Sequence, residues 1–368
     1  MLPREVLQAG PVILRVPEEK DADAIARAYA DPQVARFVPF VPLEYDREDA
    51  LNWIAAAQVV WDEGGAEFVI ADRDTGEVLG AALLKPPDRF GNSEVGYLLA
   101  PWGRGRGAAT AAVRALTDWG FAHGIPRIGL ITDVENIPSQ SVAYRSGFTR
   151  EGVLREEYAT RDGSRHDSIA FARLAGDPGD PIDPFLPFFP GGHPSGSLTD
   201  GVVRLRPLTP GDTDEYHAMQ SDPQMYKFSV PPEAPSYADS VMRCRYAGMW
   251  WLAGQRVELA VRWAETDAFA GHLQLTGVLP PLGQAMVGYS LLPDYQGRGV
   301  MTRAVDLLAT WAFEHTGIRR LVAGTAPDNV ASHRVLERAG FVRELLVKDL
   351  LPGPDGTRID DVQWARTR

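Results

Sequence analysis

The sequence predicts an α/β (or α+β) fold built twice, as two tandem domains, each a sheet flanked by helices. Three observations carry this. A chain of 368 residues is longer than one ordinary compact domain. Short β-patterned runs alternate with helical ones. Above all, the chain repeats itself: Gly96-Tyr97-Leu98-Leu99-Ala100-Pro101-Trp102-Gly103-Arg104-Gly105-Arg106-Gly107 returns as Gly288-Tyr289-Ser290-Leu291-Leu292-Pro293-Asp294-Tyr295-Gln296-Gly297-Arg298-Gly299. A second block follows in each copy: Asn136-Ile137-Pro138-Ser139 leads to Gly147-Phe148, and Asn329-Val330-Ala331-Ser332 leads to Gly340-Phe341. The front ends also match, Leu14-Arg15 with Asp31-Pro32 against Leu205-Arg206 with Asp222-Pro223. Repeats of this length are whole domains rather than solenoid units. The expected division is 1–174, a linker at 175–199, and 200–368.

Each element has its own signal. Val12–Val16 alternates and precedes an acidic, alanine-rich helical stretch from Asp21. Phe68–Ala71 and Val78–Leu84 read as strands parted by the Asp74-Thr75-Gly76 turn. Val95–Leu99 is an apolar strand that runs into the glycine-rich turn. Ala109, Ala112, Val113 and Leu116 then fall at helical spacing, as do Met301, Ala304, Val305 and Leu308. Ile128–Thr132 is the next strand, and a short helix from Pro138 to Ser146 ends at Gly147. Between the copies the Pro/Gly density cannot sustain a helix or a central strand. Its apolar middle, Phe185-Leu186-Pro187-Phe188-Phe189-Pro190, reads as a strap packed on a domain surface, with a proline-motif docking site as the alternative.

Composition removes several classes. Apolar residues make up 45% of the chain, enough for packed cores. A net charge of −12 argues against nucleic acid, whose phosphates demand clustered Lys and Arg. The single cysteine, Cys244, excludes an internal disulfide and fits a reducing compartment; it reads as an apolar filler. No apolar run approaches a membrane span, and the N-terminus lacks a secretory pattern, so a cytoplasmic protein is expected. No cluster has metal-ligand spacing.

The strand, glycine-rich turn and helix form a phosphate-binding device, because glycines admit an anion to the backbone and a helix start presents unpaired N–H groups. A Walker A loop would need Gly-Lys-Ser/Thr, which is absent. A dinucleotide fingerprint would need glycine where Thr110 or Thr302 stands. At these residues the chain resembles the GNAT superfamily, most closely its ribosomal-protein N-terminal acetyltransferase (Rim-type) branch. That family's Arg/Gln-x-x-Gly-x-Gly/Ala pattern is met by Arg104, Gly107 and Ala109; the second copy has Gln296 and Gly299, with Met301 last. The resemblance implies a mixed, largely antiparallel twisted sheet with a splayed central strand pair in each domain. It implies acetyl-CoA, or another acyl-CoA, as cosubstrate. The pyrophosphate would lie on the turns Arg104, Gly105, Arg106, Gly107, Ala108, Ala109 and Thr110, and Gln296, Gly297, Arg298, Gly299, Val300, Met301 and Thr302. The pantetheine arm would pair with Leu98, Leu99 and Ala100, or with Leu291 and Leu292. Asn136 with Ser139, and Asn329 with Ser332, would stand near the thioester.

The implied reaction is direct attack of a primary amine on the thioester, the amine belonging to a small molecule or a protein N-terminus. Glu94 is the candidate general base, or else a solvated strand-edge carboxylate; its counterpart is Met286, which cannot take a proton. Ser139 and Ser332 match the family's serine near sulfur, or serve as helix-terminal hydroxyls. Tyr144 is a candidate thiolate acid, one residue beyond the family's usual position, which Ala143 fills. His272 and His333 are read as hydrogen-bonded structural residues with proton transfer as the alternative. Trp53, Trp61, Tyr246, Trp250 and Trp251 read as core, or as the wall of an aromatic acceptor site. The N-terminal domain is therefore expected to do the chemistry. The alternatives are catalysis by the C-terminal domain or a non-catalytic acyl-CoA-binding protein. Expected partners are an acyl-CoA and an amine acceptor, with no nucleic acid and no membrane, and a homodimer left open.

Overall fold

The computed structural model describes residues 2–353 and 356–368. The chain divides into two units, Met1–Asp183 and Pro184–Arg368. In the first, β1 (Leu7–Ala9) and β2 (Val12–Arg15) precede three helices, α1 (Ala22–Tyr29), α2 (Pro32–Phe37) and α3 (Arg47–Asp62). Then come β3 (Ala66–Asp72), β4 (Val78–Leu84), β5 (Ser93–Leu99), α4 (Ala108–Ala122), β6 (Arg127–Asp133), α5 (Ile137–Arg145), β7 (Thr149–Ala159) and β8 (Arg165–Leu174). The second unit follows the same plan: β9 (Leu198–Thr199), β10 (Val203–Pro207), α6 (Thr213–Gln220), α7 (Pro223–Tyr226), α8 (Tyr237–Leu252), β11 (Val257–Trp263) and β12 (Phe269–Leu279). It closes with β13 (Gln284–Leu291), α9 (Val300–His315), β14 (Arg320–Thr325), α10 (Val330–Arg338), β15 (Val342–Pro352) and β16 (Arg358–Thr367).

Local chemistry sets the helix starts. Asp31 and Asp222, each followed by proline, cap α2 and α7. Asp46 and Ser236 make capping boxes for α3 and α8. The apolar stripes land as their spacing predicts: Ala112, Val113 and Leu116 on α4, and Ala304, Val305 and Leu308 on α9, are fully buried.

Each unit holds an eight-stranded sheet of one topology, β1-β2-β3-β4-β5-β6-β8-β7 and β15-β16-β14-β13-β12-β11-β10-β9. All neighbours are antiparallel except β5–β6 and β13–β14. Those two parallel pairs meet only at their starts, Ser93 and Glu94 with Ile128 and Gly129, and Gln284–Met286 with Arg320–Val322. Beyond these residues the strands part. The mixed sheet, its flanking helices and the splayed central pair agree with the expected fold.

The apolar strap is core. Leu186 and Phe189 are 1% exposed within the second unit, Phe189 meets Trp251 and Trp311 edge-on, and the Trp251 indole N–H donates to the Pro187 carbonyl at 3.2 Å. On the other side of the boundary, the Ile182 amide donates to Tyr144 of the first unit. Both ends of the segment expected as a linker are thus packed. Trp61 and Trp251 are core, as expected, and so is Cys244, whose thiol burial pushes up to about 12. Phe189→Ala should destabilise the second unit by about 3–5 kcal/mol, the usual cost of emptying a fully buried phenylalanine site. A urea titration followed by tryptophan fluorescence would read this as a lower midpoint; an unchanged midpoint would show that the strap is dispensable.

Candidate acyl-CoA sites

The two glycine-rich turns have one geometry. After β5 a short 3-10 turn, Pro101–Gly103, leads to Gly105 and Gly107, with φ of 74° and 76°; Gly297 and Gly299 stand at 72° and 76° after Pro293–Tyr295. Gly107 and Gly299 are the residues before α4 and α9, in the left-handed region that side chains rarely adopt. A bulky side chain at either would be strained whatever the space. The first turns of both helices carry N–H groups without partners inside the helix, a ready anion site. Ala108, Ala109, Val300 and Met301 bury their side chains beneath the turn, so they offer a ligand only backbone.

Arg104 and Gln296 do a common job. The Arg104 guanidinium donates to the Leu99 carbonyl at 3.1 Å and to Gln33 at 3.0 Å, and pairs with Asp31. The Gln296 amide donates to the equivalent Leu291 carbonyl at 3.0 Å. Each tethers the turn to the last residues of the splayed strand.

The serine-bearing block also agrees between units. Asn136 and Asn329 cap α5 and α10, accepting from Ser139 and Ser332 amides at 3.2 Å. That capping role, weighed above for the serines, belongs to the asparagines. The Tyr97 hydroxyl donates to Ser139 Oγ at 3.0 Å, and Tyr289 and Ser332 share a bond of 2.7 Å. Both tyrosines lie on the splayed strands, where the Gly-Tyr of each repeat was a usable signal that sequence reasoning missed. Burial raises both phenols, Tyr289 to about 12. Tyr144 packs edge-on against Phe171, with ring centroids 5.2 Å apart, about 140° round α5 from Ser139. The structure does not bring it to the Tyr97–Ser139 pair.

Beside the first parting, Glu94 is ion-paired with Lys85 at 2.6 Å. Near it His166 Nδ1 contacts Asp133 Oδ2 at 2.9 Å, and Tyr158 is raised by burial and by Glu94 and other carboxylates. In the second unit Met286, Leu351, Ala326 and Ile359 hold the corresponding places. There a cavity of about 970 Å³ runs from Gln296, Gly297 and Gly299 past Tyr289 and Ser332 to Tyr216, Arg243, His272 and Gln274. Its wall includes Asp361, 2% exposed, whose Oδ1 has no hydrogen-bond partner and whose carboxyl burial raises. That carboxylate lies over Gly324, where a Cβ would come within 2.7 Å of it. His333 is not with these groups: its Nε2 contacts the Ala326 carbonyl at 3.1 Å.

Two buried glutamates lie behind these sites. Burial alone would raise Glu258, but His272 at 2.6 Å, Arg243 at 3.0 Å and Arg256 together hold it below its ordinary value. His272 is therefore half of a buried ion-pair network that also faces the cavity. Glu67, by contrast, is pushed up by burial to about 8. A carboxyl whose folded pKa is raised contributes stability that is complete below its ordinary value of 4.5 and lost as pH rises through about 8. Glu67→Gln should therefore melt close to wild type near pH 5 and several degrees above it near pH 8.5. A pH-independent difference in melting temperature would show that Glu67 is not held in this way.

Comparison with known proteins gives this geometry its family. The model of the acetyltransferase (GNAT) domain matches residues 12–149 and again 203–342. The uncharacterized N-acetyltransferase YoaA of Bacillus subtilis is 29% identical over 173 residues, 45% of this chain and 95% of the relative. A mycothiol acetyltransferase of Geodermatophilus obscurus is 25% identical over 320 residues, 83% of each chain. The solved structure of RimL, a ribosomal L7/L12 alpha-N-protein acetyltransferase in complex with coenzyme A, is 22% identical, covers 46% of this chain and 96% of that one, and superposes with a TM-score of 0.43. No helix among the described residues is long and apolar enough to cross a membrane. With a matched domain on each side of its midpoint, the chain belongs to the GNAT acetyltransferase family.

Proposed function

We propose that the protein is an acetyl-CoA-dependent N-acetyltransferase acting on a primary amine, with an acyl-CoA site in each unit and catalysis in the N-terminal one. The observation that carries this reading is the repeated turn, with Gly107 and Gly299 in one left-handed conformation at the mouth of a parting strand pair. Backbone N–H groups at α4 and α9 hold the pyrophosphate, and the unpaired edge of Leu98–Ala100 or of Leu291–Leu292 takes the pantetheine amides. The known relatives named N-acetyltransferases support acetyl transfer to nitrogen.

The acceptor arrives largely as an ammonium and must lose a proton before nitrogen attacks the thioester carbon. Glu94, at the last paired residue before β5 parts from β6, receives that proton directly or through water. Backbone N–H groups of the parted strand stabilise the tetrahedral oxyanion. As the C–S bond breaks, Ser139 donates to the departing thiolate. The Tyr97 hydroxyl already donates to Ser139 Oγ, which leaves the serine proton free for sulfur.

A second reading places chemistry in the C-terminal unit, and the cavity favours it. Met286 cannot accept a proton, but Asp361 brings a carboxylate to the same cavity from β16, made room for by Gly324.

Assays of a broad amine panel with single variants distinguish these readings. Glu94→Gln should lower turnover by about 10²–10⁴-fold while acetyl-CoA affinity stays unchanged, as expected for loss of a general base. Unaltered turnover in that variant, together with collapse in Asp361→Asn, would move catalysis to the second unit. Acceptance of only hydroxyl or thiol substrates would sink N-acetylation.

A further inference from the structure

The two buried glutamates are the same residue of the repeat. Glu67 and Glu258 are each second in their strand, β3 and β11, and both are buried. Matching α3 to α8 by their capping boxes, and β3–β4 to β11–β12 by register, shows what has changed around them. Trp53 stands where the second unit has Arg243, Gly65 where it has Arg256, and Ala81 where it has His272. All three cationic partners of Glu258 are gone from the first unit, yet the carboxylate remains. Glu67 is 6% exposed, and among the described residues its carboxylate accepts no hydrogen bond.

Aromatic side chains lie near it. Tyr29 stacks on Tyr45 with centroids 4.7 Å apart and tilts against Trp53 at 6.0 Å. Both tyrosines are within electrostatic reach of Glu67, which raises their phenols further beyond the effect of burial. A carboxylate beside aromatic faces is the chemistry that recognises an alkylammonium ion.

Register relates this place to the reacting centre. Glu67 pairs with Leu83, and Leu83 with Gly96, the residue before Tyr97 on the parting strand. Residues opposite one another across a sheet share a face, so Glu67 stands on the face of Gly96, two strands and about 10 Å away. The same row in the second unit, Gln274 and Gly288, lines its cavity.

We propose that the N-terminal unit takes an acceptor with two amino groups, one held as an ammonium by Glu67 against Tyr29, Tyr45 and Trp53, the other presented to the thioester beside Gly96. The ligand supplies the counter-ion that the second unit supplies from its own side chains. This specificity rests on the acyl-CoA reading of the Gly107 turn. In the second unit Glu258 is already neutralised and offers no such anchor.

The test is calorimetric titration of the full chain, saturated with CoA, by 1,7-diaminoheptane, whose amines span about 10 Å when extended, against heptylamine, at pH 9, above the value of about 8 to which burial pushes Glu67, where alkylamines are still ammonium ions. The diamine should bind at least about tenfold more tightly, as expected for a charge-assisted contact to a buried carboxylate. Glu67→Gln should erase that preference while leaving CoA affinity unchanged. Tyr45→Leu, at the partly exposed side of the aromatic wall, should weaken the diamine several-fold more than heptylamine, and it carries the test if the Gln variant does not fold. Equal affinities for the two amines, no binding of either to a CoA-loaded protein, or an equal loss for both amines in the variants would overturn the proposal. Failure of CoA itself to bind would instead overturn the reading of the turn.

Discussion

The arrangement depends on one constraint: two parallel strands that begin as partners must separate. β5 and β6 pair through Glu94 and Gly129, and β13 and β14 through Met286 and Val322, and then stop. Parting leaves a row of unpaired backbone groups on the central strand, which has to be satisfied by something other than the sheet. An extended ligand with its own amides fits that need as an added strand would. The turn that follows then has to be tight, and Gly107 and Gly299 make it so with φ of 76°. Arg104 and Gln296 fold back on the strand's last carbonyls and fix the turn to it. Strand edge, turn and helix start thus form one continuous surface of backbone donors and acceptors, largely independent of side-chain identity.

That independence explains how the two units differ. The backbone features are the same in both, while the polar side chains around them have been redistributed. Carboxylates approach the parting from Glu94 on β5 in one unit and from Asp361 on β16 in the other, where Gly324 leaves the space. A buried glutamate persists in both, neutralised by His272, Arg243 and Arg256 in one and within electrostatic reach of Tyr29 and Tyr45 in the other. A backbone frame held in common, with side-chain surroundings that differ, lets one scaffold serve different chemistry in its two copies.

The fold was legible because its signals are local. A turn between strand and helix, an Asn-x-x-Ser block, and apolar stripes at helical spacing all lie within short stretches, and duplication made them unmistakable, although the cap proved to be the asparagine and not the serine. The serine partners were half legible, since Tyr97 and Tyr289 sit in the repeated Gly-Tyr but their serines arrive from a helix more than 40 residues later. The Asp133–His166 contact and the Glu258 network were not legible, because they depend on strand register and on which face of a helix meets the sheet. Asp361 could not be foreseen from Met286, because it reaches the cavity from another strand and lies over Gly324. The strap around Phe189 was legible as apolar against its composition, though not as part of the second unit's core.

Whether both turns hold acyl-CoA decides what the duplicated frame is for. Calorimetric titration of the intact chain with acetyl-CoA measures this directly, with Gly107→Val and Gly299→Val as the controls. Two molecules per chain, reduced to one by either substitution, is the result this structure predicts. No binding, or binding that survives both substitutions together, would contradict it.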